Sequence, residues 1–158
     1  AQPLERGFNN YYSIIQGGDL LKQIIRPAIH VPYSLHDMHV TAFDVTGDCM
    51  VLRTQSGLVQ TTAPYGQPDG AVAFSGIRWE FSFAYLLTFP PKAATFSGEK
   101  MFLKDFIASH PAPGLTILDE TYGDHCTKYS GYLTTEGLYQ ECILEIHHQG
   151  DMVFLVEE

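Results

Sequence analysis

The densest set of polar side chains able to do chemistry is His30, His36, Asp37 and His39, with Asp44 a little further on. Imidazole and carboxylate together suit a borderline divalent metal such as zinc. On an extended chain His36 and His39 point to opposite faces, so His36, Asp37 and His39 can share one ion only if a turn gathers them. The spacing matches no strong metal signature. The competing reading is that Asp37 or a histidine organises the turn into the following strand through backbone hydrogen bonds.

Three further groups invite a chemical reading. Asp124-His125-Cys126 places an imidazole next to a thiol, which would lower the thiol pKa if the two met; adjacent side chains on an extended chain point apart, so a loop would have to bring them together. Glu120, Glu141 and Glu145 would supply paired carboxylates if they faced a cavity with Tyr122, Tyr132 or Tyr139, and general acid/base work would then need one of them desolvated. His147-His148 alternates across a sheet and cannot hold one ion without a bulge. The glycines from Gly66 to Gly76 form neither a phosphate loop nor a dinucleotide fingerprint, and no Gly-x-Ser-x-Gly elbow occurs. No cofactor signature is present, and no catalytic residue is assigned.

The elements that must carry these groups are mostly strands. From His39 the hydrophobic period becomes two: Thr41, Phe43 and Val45 alternate with Val40, Ala42 and Asp44, Thr46-Gly47-Asp48 reads as a turn, and Cys49 to Thr54 returns. Ser56-Gly57 then reverses the chain into Leu58 to Thr62, predicting a three-stranded meander. After a Pro/Gly loop come Ala71 to Ser75 and a long aromatic strand, Trp79 to Phe89. Trp79, Phe81, Phe83 and Tyr85 share one parity there, so they would line a barrel interior, with a small apolar ligand against them, or cover a sheet face. One main helix is predicted over Glu99 to Ser109, with Ser97 as N-cap and Phe102, Leu103, Phe106 and Ile107 on one face. Strands Leu115 to Tyr122, Lys128 to Leu133, Tyr139 to His148 and Met152 to Val156 complete the chain, with turns at Glu136-Gly137 and Gln149-Gly150. Cys142, Leu144 and Ile146 form the buried side of the last hairpin. At the start, Phe8, Tyr11 and Tyr12 suggest an aromatic arm over residues 1–18, and Asp19 caps a short helix through Ile25.

The expected fold is therefore α+β and mainly antiparallel β: a strongly curved sheet or open barrel of about eight strands packed by one main helix, in a single domain 1–158. A two-layer roll or sandwich fits the same pattern. A chain of 158 residues can bury its own core without disulfide or metal. The net charge of -9, with nine dispersed basic residues, supplies no positive footprint for nucleic acid and disfavours an anionic membrane surface, but it accommodates a basic protein partner. No apolar run reaches the length of a membrane span. Cys49, Cys126 and Cys142, an odd number without a Cys-x-x-Cys pair, read as free thiols of a cytoplasmic protein; the start at Ala1 fits a removed leader or a trimmed end equally.

Leu35-His36-Asp37-x-His39-Val40 with Gly47-Asp48, then Asp119-Glu120-x-Tyr122-Gly123 and Glu141-Cys142-x-Leu144-Glu145-Ile146, resemble small bacterial α+β proteins of the immunity-protein type, found beside polymorphic toxins. The resemblance spans residues 35 to 158 and carries over no site residue. It implies a non-enzymatic binding or protein-interaction domain. The alternative expectation is a small-molecule-binding β-barrel with isomerase or cyclase activity.

Overall fold

The structure is a computed structural model and describes residues 30–88 and 97–157; the expected N-terminal arm and the short helix after Asp19 lie outside the described residues. Val31–Glu158 groups as a compact unit. In chain order its strands are β1 (Tyr33–Ser34), β2 (His39–Thr46), β3 (Cys49–Thr54), β4 (Val59–Gln60), β5 (Gly70–Phe74), β6 (Phe83–Thr88), β7 (Ser97–Phe102), β8 (Leu115–Tyr122), β9 (Cys126–Thr135), β10 (Leu138–His147) and β11 (Met152–Val156). One α-helix, α1 (Leu103–Ser109), follows β7, and a 3-10 turn spans Trp79–Phe81.

Nine strands form one antiparallel sheet in the order β11-β5-β3-β2-β8-β9-β10-β6-β7, and β1 pairs with β4 as a separate ribbon. The sheet is not closed into a barrel, since β11 and β7 remain as its edges, but it cannot be flat. The four residues between His147 and Met152 join strands six places apart. They reach about 18 Å at full extension, whereas six strand spacings in a flat sheet measure about 29 Å. The sheet therefore curls until β11 comes within reach of β10. Backbone bonds mark the junction: Ile77 bridges His148, Arg78 N–H donates to the His147 carbonyl, and Gln149 and Gly150 donate to Gly76 and Ser75.

The concave side is the core. Val40 and Phe43 of β2, Met50 and Leu52 of β3, Val72 and Phe74 of β5, Ala84 and Leu86 of β6, Leu115 and Ile117 of β8, Tyr129 and Leu133 of β9, and Cys142, Leu144 and Ile146 of β10 are all buried together. Leu103 and Phe106 of α1 enter the same core, Phe106 meeting Phe43 edge to face at 6.3 Å. Burial of these apolar side chains, at roughly 1.5–3 kcal/mol each, is the main force holding the curl.

Several expectations stand: β2, β3, β8 and β11 fall where the period of two placed them, Gly47 (φ 61) and Gly137 (φ 77) turn the chain, and Cys142, Leu144 and Ile146 are fully buried. Others are corrected. The meander is broken, because β4 pairs with β1, and β5 takes the place beside β3. Ser97–Phe102 is strand, not the start of a helix: β6 offers it an edge, Lys100 and Phe102 alternate onto Tyr85 and Phe83, and α1 begins only at Leu103. Trp79–Phe81 is a 3-10 turn and not extended, since the chain bends there between the bridge of Ile77 to His148 and the start of β6.

Candidate functional site

The turn that sets the register of the candidate surface is Glu136-Gly137, both with positive φ (50 and 77), a two-residue hairpin connection. It pairs β9 with β10 without a bulge, setting Cys126 opposite His147, Lys128 opposite Glu145, Ser130 opposite Ile143 and Tyr132 opposite Glu141. With Ile146 and Leu144 inward, all of these side chains fall on the convex side. The rows continue across β6 and β7: Glu145 lies beside Phe83 and then Phe102, and Ile143 beside Tyr85 and then Lys100.

Cys126, Glu145 and His147 converge at one end of this face. Their donor atoms lie within 4.8 Å of one another. Cys126 Sγ is 3.8 Å from His147 Nε2, which is 2.8 Å from Glu145 Oε1. The other carboxylate oxygen faces Lys128 Nζ at 3.8 Å and accepts from the Tyr85 hydroxyl at 3.4 Å. The His147 backbone is pinned on both sides: its N–H donates to Ser82 Oγ at 3.0 Å, and its carbonyl accepts from Arg78 N. Ser82, completely buried, donates its own hydroxyl hydrogen bond to the Arg78 carbonyl at 2.9 Å, so the bend at residues 78–82 and the site share one hydrogen-bond set. A cleft of about 320 Å³ adjoins it, lined by Arg78, Phe81, His125, His147, His148 and Gln149.

The three groups are not a nucleophilic triad. Cys126 and Glu145 both address Nε2 of His147, whereas a relay uses one ring nitrogen for each partner. Burial and the Glu145 charge push the Cys126 thiol pKa up, against a smaller opposing effect of Lys128, so the thiol stays protonated at neutral pH. Cys126 also meets His147 rather than His125, whose imidazole is exposed near Asp124.

A second polar cluster sits on the concave side. The bulge between Ile117 and Asp119 reverses the parity of β8 and turns Glu120 and Tyr122 toward Tyr129 and Thr127 of β9. Glu120 accepts from Ser34 Oγ at 2.5 Å, Leu35 N at 2.7 Å and the Tyr122 hydroxyl at 2.9 Å, which ties the β1 ribbon to the sheet. Tyr122 is held protonated by burial and by Glu120. The wholly buried Tyr129 hydroxyl lies close enough to Tyr122 for the two to couple, and among the described residues it has no partner in full hydrogen-bond geometry. With its oxygens occupied by these donors, Glu120 serves as an anchor. Glu141 lies apart from it, on the convex face.

The proposed metal residues His36, Asp37 and His39 are not gathered. Asp37 (φ 64) occupies the left-handed position of a turn closed by Met38 N to the Leu35 carbonyl, and among the described residues its carboxylate pairs with His36 Nδ1 at 3.0 Å. His39 turns away to Thr116 Oγ1 at 3.1 Å, and Asp44 pairs with Arg53. Among the described residues, the cluster of metal-capable side chains is Cys126, Glu145 and His147.

Of Trp79, Phe81, Phe83 and Tyr85, the last two lie on β6 and share a face, and the first two lie in the 3-10 turn before it. Ser82, Ala84 and Leu86 are the inward parity, so Phe83 and Tyr85 lie on the convex face. Phe83 stacks on Phe102 at 5.4 Å, under Lys100 Nζ at 3.9 Å from its ring centre. Phe81 is 52% exposed, while Trp79 packs at the margin of the core and donates Nε1 to the Gly47 carbonyl at 3.0 Å. Tyr132 and Tyr139 meet edge to face at 5.3 Å at the far end, where Leu118, Ser130 and Glu141 complete an open groove.

Among the described residues, no helix is long and apolar enough to cross a membrane. No family model, curated protein or solved structure matches the chain.

Proposed function

We propose that this domain acts by binding rather than catalysis, and that it docks a protein partner on the convex face of β9, β10, β6 and β7. The observation that carries this reading is the composition of that face. Phe102 (49% exposed) and Tyr139 (74% exposed) stand out from half-buried Phe83, Tyr85 and Tyr132, with Glu141 and Glu145 beside Lys100 and Lys128 between them. Rigid rings backed by a sheet offer contact area at little entropic cost, and aromatics are enriched where partners bind. The chain's net charge of -9 favours a basic partner, attracted over long range. An immunity-like role, neutralising a basic toxin, is the specific form of this proposal.

The alternative, a small-molecule barrel with isomerase or cyclase activity, treats the curled sheet as an open barrel with an interior cavity. It has less support, because the concave side is filled by Phe74, Tyr129, Phe106 and the aliphatic core. Photo-crosslinking distinguishes the two. A benzophenone probe at Tyr139 or Phe102 should trap one protein in extracts of the source cell, in amounts that fall with salt, and a probe at Asp44 should not. Equal labelling from all three positions, or none, would refute the docking proposal.

A further inference from the structure

We infer that Cys126, Glu145 and His147 form a zinc site, with one thiolate, one carboxylate and one imidazole ligand and a fourth position open to solvent. The proposal goes beyond the docking function and does not depend on it. A tetrahedral zinc with ordinary bond lengths separates such donors by roughly 3.4–3.6 Å. Here the sulfur–nitrogen distance is 3.8 Å and the nitrogen–oxygen distance 2.8 Å. The nitrogen–oxygen pair must open by about 0.6 Å and the sulfur–nitrogen pair close by about 0.2 Å, while the sulfur–oxygen pair, within 4.8 Å, must come to about 3.6 Å.

The donor chemistry selects the ion. A thiolate with an imidazole excludes magnesium and calcium, which take oxygen ligands, and suits zinc. The surroundings are those of a supported site. Cys126 and His147 are register partners on rigid strands, His147 is fixed at both backbone atoms, and Tyr85 holds the second Glu145 oxygen so that the first is presented to His147. Zinc binds at Nε2 and Sγ: the neutral imidazole then carries its single ring proton on Nδ1, and the thiol proton leaves to solvent. The cleft with Arg78 and His125 adjoins the site at His147 and is large enough for water or a small anion. Lys128 beside Glu145 opposes the cation, which sets a limit on affinity.

The test uses the full chain, stripped of metal and titrated with Co(II) and then Zn(II) alone. The expected result is a thiolate-to-cobalt charge-transfer band with tetrahedral visible bands, at one equivalent, displaced by zinc. Cys126→Ser should abolish the near-ultraviolet band and weaken zinc binding by about a hundredfold or more, exceeding the effect of losing an outer-shell partner. Cys49→Ser, at an exposed thiol, should leave both unchanged. Lys128→Met, on the exposed side of the pair, should tighten zinc binding several-fold. Adventitious binding to surface histidines would give no thiolate band. Absence of that band in the wild-type chain, or its persistence in Cys126→Ser, would overturn the assignment.

Discussion

Replacing Tyr129 by Phe removes one oxygen from the middle of the core and should stabilise the protein. The side chain is completely buried, its hydroxyl has no hydrogen-bond partner among the described residues, and its ring packs edge to face with Phe74 at 6.4 Å. A hydroxyl taken from water into such surroundings without a partner costs about 1–3 kcal/mol. Phe keeps the ring contacts. We therefore expect the variant to gain about 1–2 kcal/mol at neutral pH, a rise of roughly 2–8 °C in Tm for a chain of this size. The effect should grow in alkali. Burial chiefly, and then the charges of Tyr122 and Glu120, raise the Tyr129 pKa well above its ordinary value of 10.0. Above pH 10 the unfolded chain releases the phenolic proton while the native chain keeps it, so the wild type loses about 1.4 kcal/mol per pH unit from this group. The variant escapes that loss. Cys142, which burial pushes up to about 12, adds the same alkaline destabilisation to both proteins and cancels in the comparison. Urea unfolding followed by the fluorescence of Trp79, the single tryptophan, near neutrality and in steps above pH 10 measures both quantities. A variant less stable than wild type by about 1 kcal/mol at neutral pH would show that the hydroxyl is well partnered, and parallel stability curves in alkali would refute the ionisation argument.

Three other substitutions probe the frame. Gly131→Ala should cost at least about 3 kcal/mol, or prevent folding, because a Cβ there would lie 1.8 Å from the Thr116 carbonyl oxygen, which is backbone and cannot rotate away; its urea midpoint measures this. Ser82→Ala should cost about 1–3 kcal/mol by leaving the His147 N–H without its partner, and the loss should appear as faster amide exchange at His147. Asp44→Ala breaks only an exposed pair with Arg53, so thermal unfolding should shift by less than about 1 kcal/mol.

Where the sequence was readable, the cause was local. The β2–β3 hairpin follows from strict alternation around a glycine turn, and the buried triplet of Cys142, Leu144 and Ile146 follows from parity alone. The direction of Phe83 and Tyr85 was not legible, because the alternation of β6 defines two faces, and only the tertiary packing turns Ser82, Ala84 and Leu86 inward. Ser97–Phe102 looked helical because a free sheet edge at β6 is a tertiary fact. The Cys126–His147 pairing did have a signal: a two-residue turn at Glu136-Gly137, propagated through an unbulged ladder, sets the two residues opposite each other. Starting β9 at Lys128 hid it. The Glu120–Tyr129 approach had none, since the bulge after Ile117 reverses the alternation on which such a reading depends.

Binding through the convex aromatic face is tested most directly by affinity for the protein that the crosslinking captures. Titration with wild type, Phe102→Ala, Tyr139→Ala and Arg53→Ala should show losses of about tenfold or more for each ring, with Arg53→Ala unchanged. Equal affinity across all four proteins would contradict the account.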